Sequence, residues 1–157
     1  MPMFKLMFKN RQDCTVRAYG IRQNGISRCS SIPVTHQNVD KGVSFPRVDV
    51  WFKKDIRAFT ASFLVVQRSG RRHEFIVYFT RNPRRYRPSR AVLREMPGTY
   101  WHGEFLVFRR AVHSDKLINV RAKDHKLIWP AVKGGFRPVF QDVATKLVAE
   151  PTFLLTV

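Results

Sequence analysis

Two apolar runs, FTASFLVV (59–66) and EFIVYFT (74–80), constrain this chain more than any other feature. Both are rich in β-branched and aromatic side chains. QRSGRRH, with Gly70, lies between them, so they read as a β-hairpin. Each run is apolar at odd and even positions alike. A strand with one wetted face would alternate polar and apolar residues. These two need cover on both faces, either in a sheet packed on both sides or in a closed barrel.

The remaining patterns predict more strands and two helices. CTVRAYGIR and ISRCSSIPV flank QNG, and Asn24-Gly25 predicts a type I′ hairpin turn. Residues 35–47 read as a loop broken by Gly42 and Pro46. VDVWFKK (48–54) reads as a short strand, with Val48, Val50 and Phe52 on one face and Asp49, Trp51 and Lys53 on the other. SRAVLREM (89–96) predicts a short helix with Ser89 as its N-cap and Pro97-Gly98 at its end. TYWHGEFLVFRR (99–110) predicts a strand bent at Gly103. KLINVRA (116–122) predicts another strand and KLIW (126–129) a further short one, with a charged turn at Asp124-His125 between them. KGG (133–135) lacks any phosphate-loop context and reads as a flexible turn. Phe140, Val143, Ala144, Leu147 and Val148 recur at helical spacing, so 140–150 predicts a helix that Pro151 stops. TFLLTV ends the chain as a strand. HEFIVYFTR (73–81) echoes HGEFLVFRR (102–110), a likeness that common strand residues produce without duplication. The expected fold class is α+β: mainly antiparallel β-sheet or a partly closed barrel, with short helices near 89–96 and 140–150. At 157 residues this is one basic domain, 1–157, with a loosely ordered N-terminus over 1–13.

Charge points to partners. Lysine and arginine number 29 against 11 acids, a formal net charge of +18. Arginine outnumbers lysine 19 to 10, and its planar guanidinium suits bidentate contact with phosphate. The bias is strongest in the middle of the chain. Between Arg68 and Arg94 there are nine arginines and one acid, Glu74. RNPRRYRPSR (81–90) alone holds five of them. Pro83 and Pro88 disfavour helix at the residues before them and stiffen the segment. If 59–80 is a hairpin, Arg71 and Arg72 lie at its turn. The 81–90 segment then leaves the opposite end, roughly 20 Å away at strand rise.

Signals for catalysis are sparse. His102 and Glu104 form an H-x-E pair, but the P-C-x-x-C half of a zinc deaminase is absent. His113, Ser114 and Asp115 are adjacent in sequence and read as a polar turn, without a G-x-S-x-G elbow. Cys14 and Cys29 have no zinc-ligand spacing. They read as two buried thiols, with a disulfide across the hairpin as the alternative. No catalytic residue, metal or cofactor is expected. No apolar run reaches the roughly 18–20 residues of a transmembrane helix. MPMFKLMFKNRQDC lacks the features of a signal peptide. Cytoplasm or nucleus is the expected compartment, with mitochondrial import as the alternative.

YWHGEFLVFRRAVHSDKLINVRAKD (100–124) resembles short proteins of mushroom-forming fungi to which no function is attached. The shared features are a tryptophan-x-glycine start, the LVFRR strand, then LINV and an aspartate. The resemblance implies a fungal, intracellular protein. The function expected from the residues is non-enzymatic binding of nucleic acid or another polyanion, without sequence specificity. Arg71, Arg72, Arg81, Arg84, Arg85, Arg87 and Arg90 are the candidate phosphate contacts. Tyr86 either stacks on a base or packs its ring on the domain. A module that offers its basic surface to an acidic protein is the alternative, and an uncharacterised enzyme ranks third.

Overall fold

The computed structural model describes residues 11–37, 43–52, 57–140 and 152–157. Its strands are β1 (Arg11–Ile21), β2 (Ser27–Gln37), β3 (Val43–Pro46), β4 (Phe59–Val66), β5 (Arg72–Phe79), β6 (Phe105–Arg110), β7 (Leu117–Ile118) and β8 (Thr152–Thr156). The helices are α1 (Arg90–Glu95) and α2 (His125–Gly135), the second running into a wider π turn at Phe136–Phe140. The strands form one sheet in the order β3-β2-β1-β6-β5-β4-β8, with β7 also beside β6. The sheet curls into half a barrel, and the fold is α+β. Every pairing is antiparallel except β4 with β8, which is parallel.

Two-sided burial accounts for the double apolar pattern. On β5, Phe75, Val77 and Phe79 face one core, while Ile76 and Tyr78 face another. On β6, Phe105 and Val107 join the first core, and Leu106 and Phe108 the second. Leu127, Ile128, Ala131 and Val132 of α2, with Phe136 and Phe140, cover the first. Trp51 and Phe52, with Ile32 and Val34 of β2, close the second.

The β4–β5 and β1–β2 hairpins match the expectation, and so do α1 and the closing strand. Ser89 Oγ caps α1 by accepting from the Val92 amide at 3.3 Å. The β1–β2 turn differs in type. Its closing bonds run from Arg22 N to Ile26 O and from Gly25 N to Arg22 O, and only Gly25 has positive φ, 88°. A type I′ turn needs positive φ at both central residues, so this is a three-residue loop with glycine in the left-handed position. Strand pairing also extends further than the loop signals allowed. β2 runs through His36, and Val43–Pro46 is an edge strand, where Pro46 is tolerated. Residues 11–13 belong to β1, while 1–10 lie outside the described residues, as does the helix expected over 140–150 beyond Phe140.

Five further segments depart from their expectations. Val48–Val50 is a 3-10 turn, not a strand, and it carries both Trp51 and Phe52 inward. Residues 99–104 are irregular, and the strand begins only at Phe105. A Cβ at Gly103 would overlap the Thr80 carbonyl, so this close backbone approach requires glycine. Of 116–122 only Leu117–Ile118 pairs. KLIW and both glycines of KGG lie within α2. Leu127, Ile128, Ala131 and Val132 recur on one helical face across Pro130, and their burial outweighs the lost hydrogen bond.

Asp124 is not in a charged surface turn. It is 0% exposed. Its Oδ2 accepts from Arg109 Nη1 at 3.3 Å and from the Arg121 amide at 2.8 Å, fixing the start of α2 on β6. Asp124→Ala would leave the partly buried Arg109 without its counter-charge. The expected loss in a urea unfolding titration is roughly 3–5 kcal/mol. A loss under about 1 kcal/mol would contradict this anchoring role.

Candidate nucleic-acid interface

The eight residues singled out from sequence do not form one site. Arg71 and Arg72 are exposed at the β4–β5 turn, where Arg72 pairs with Val66. Arg81, Arg84, Arg85, Arg87 and Arg90 are exposed beyond Phe79, at the other end of β5. The expected separation along the hairpin therefore holds.

The 80–90 segment is laced to its neighbours. Thr80 N donates to Glu104 O at 3.0 Å, Asn82 N to His102 O at 2.8 Å and Ser89 N to Trp101 O at 2.6 Å. The Tyr86 carbonyl lies 3.0 Å from His102 Nδ1. Asn82 also organises a tight turn: its side-chain oxygen accepts from the amides of Arg84 and Arg85 at 3.1 and 3.2 Å. Arg90 N donates to Gln23 O at 2.7 Å, which docks the β1–β2 turn on the first turn of α1. The arginines of this loop therefore project from a fixed backbone.

Tyr86 is 3% exposed, so it belongs to the domain's packing and offers no face to a base. This corrects its assignment as a contact residue. A tyrosine between arginines in sequence carries no signal of its direction, and only the turn at Asn82 points it inward.

The same end gathers arginines that the sequence left scattered. The Arg22 guanidinium lies 3.5 Å from the Trp51 ring centroid, and the Trp51 ring in turn fills the space left by Gly20. Arg22 Nη1 also donates to the Trp51 carbonyl at 2.9 Å and pairs with Glu104 at 3.0 Å. Arg57 lies over Phe59 at 5.2 Å and Arg81 over Trp101 at 5.7 Å. Arg94 projects from α1. Glu95 and Glu104, the acids here among the described residues, are already engaged. Glu95 lies 3.6 Å from both Arg94 and Lys133, and Glu104 is held by Arg22. Among the described residues, Arg84, Arg87 and Arg90 form no ion pair. Tyr100, also missed, is 69% exposed beside Trp101. Adjacent Tyr100 and Trp101 lie in an irregular segment, so the sequence pattern does not say which ring points out.

Elsewhere, groups with reactive chemistry are few. Cys29 Sγ lies 3.3 Å from His125 Nε2, and the Tyr19 ring packs on that imidazole. Burial pushes the Cys29 thiol up and Arg17 pulls it partly back, so the thiol form is favoured. Both cysteines are free. The His36 and His73 imidazoles sit below their ordinary range, chiefly because they are buried and also because cations lie near them. No group of three or more His, Cys, Asp or Glu that could hold a metal occurs among the described residues. Nor is any described helix long and apolar enough to cross a membrane.

The contrast between Tyr86 and its neighbours is testable by thermodynamics. Tyr86→Ala should cost roughly 3–5 kcal/mol in urea unfolding, as for other large buried aromatics. Arg84→Gln should stay within about 0.5 kcal/mol. Equal, small effects would contradict the inward placement of Tyr86. No family model, curated protein or solved structure matches this chain.

Proposed function

We propose that the protein binds nucleic acid or a similar polyanion through the arginine-bearing end of its sheet. One observation carries this reading. Arg84, Arg87 and Arg90 are exposed on a hydrogen-bonded backbone, and the nearby acids Glu95 and Glu104 are already paired. Guanidiniums held by a fixed loop lose less conformational entropy on meeting phosphate than they would on a flexible tail. Phosphate contacts of this kind position a polyanion without reading its sequence. Arg71 and Arg72, at the far end, contribute to the general field of the +18 chain and not to this site.

Salt dependence is the first test. Neutralising about five phosphates of a random-sequence duplex should lower affinity roughly 500-fold between about 50 and 200 mM salt. The combined variant Arg84→Gln, Arg85→Gln, Arg87→Gln should flatten the log–log slope by about 0.9 for each phosphate no longer neutralised, while its unfolding midpoint stays near that of the parent. Binding that survives high salt, or an unchanged slope in the variant, would count against the site. Binding to polyglutamate without binding to nucleic acid would transfer the surface to an acidic protein partner.

A further inference from the structure

The arginine end carries one side chain that phosphate binding leaves unused. Tyr100 is 69% exposed, the most open of the large apolar side chains described. Singly exposed apolar residues are ordinary on protein surfaces. This one differs in how it is held and in what flanks it.

Its backbone is fixed on both sides. Thr99 N donates to Met96 O at 3.1 Å, and Trp101 O accepts from Ser89 N at 2.6 Å. Trp101 is 2% exposed and packs on Phe79, Phe105, Phe136 and Phe140, while its neighbour Tyr100 points outward. The Ser89–Trp101 bond sets the 87–90 stretch directly alongside, so Tyr100 stands next to the backbone that presents Arg87 and Arg90.

Resting on the polyanion reading above, we infer that Tyr100 is a stacking platform for an unpaired base, and that the preferred ligand is single-stranded nucleic acid. A duplex already stacks both faces of its bases, so an isolated surface ring gains nothing from it. A single strand offers free π faces, and an aromatic ring beside cations that track the phosphates is the arrangement sequence-tolerant single-strand binders use. Tyr100 therefore takes the stacking role that the sequence suggested for Tyr86. The loop arginines hold the phosphates on either side of the stacked nucleotide.

The test uses the full chain and three fluorescent ligands read by anisotropy at fixed salt. These are a short oligothymidylate, an abasic strand of the same length, and a random-sequence duplex. The parent protein should bind the oligothymidylate more tightly than the abasic strand. Tyr100→Ala should weaken oligothymidylate binding about 5- to 150-fold and leave abasic and duplex binding within about twofold. Tyr100→Trp should restore it. A Tyr100→Ala variant that binds all three ligands like the parent would overturn the stacking role while leaving the arginine site standing. A parent protein that binds none of them would overturn both. Because Tyr100 has little buried surface, the variants should unfold at the parent's urea midpoint, which separates loss of stacking from loss of the fold.

Discussion

Burial of β5 and β6 on both faces governs the rest of the molecule. Along this strand pair the charged residues, Arg72, Glu74, Arg109 and Arg110, are confined to the end away from Phe79 and Phe105, and the rest of both faces is aromatic or aliphatic. Other basic residues of this chain stand on the exposed side of β1 and β2, as Arg17 and Arg28 do, or in turns and connecting loops. The arginines beyond the last residue of β5 lie in one of these connecting loops, where exposure costs the core nothing. The proposed function uses what the fold has already displaced.

The two acids buried among the described residues secure this arrangement. Glu104 holds Arg22 at the end of β1, and Asp124 holds Arg109 at the opposite end of β6. Each pair ties a strand end to a segment distant in sequence. Each also consumes a carboxylate that would otherwise neutralise surface guanidinium. Glu95, shared between Arg94 and Lys133, does the same on α1. These acids thus serve the fold, and among the described residues Arg84, Arg87 and Arg90 form no ion pair.

The parts that could be read from the sequence were those set by local periodicity. The two-sided runs identified the central hairpin, Ser89 announced α1, and Asn24-Gly25 located the first turn, though not its type. Tertiary packing decided the rest. Trp51 and Phe52 look like opposite faces of a strand, yet both are buried because a 3-10 turn folds the chain over the sheet. Leu127, Ile128, Ala131 and Val132 form a helix across Pro130 because α2 has a core to cover. The candidate site divides the same way. Exposure of the loop arginines followed from their density and from the prolines. The inward turn of Tyr86 goes with the local turn at Asn82, while the outward turn of Tyr100 and the arrival of Arg22 and Arg94 go with bonds between segments far apart in the chain.

If one end of the sheet, and not the whole basic surface, receives the polyanion, binding must be local. Backbone amide chemical shifts followed by NMR during titration with a short oligothymidylate test this directly. The largest changes are expected within 22–26, 81–95 and 99–102, with little change at 67–72 or 109–123. Changes spread evenly over the surface, or strongest around Arg71 and Arg72, would contradict the assignment.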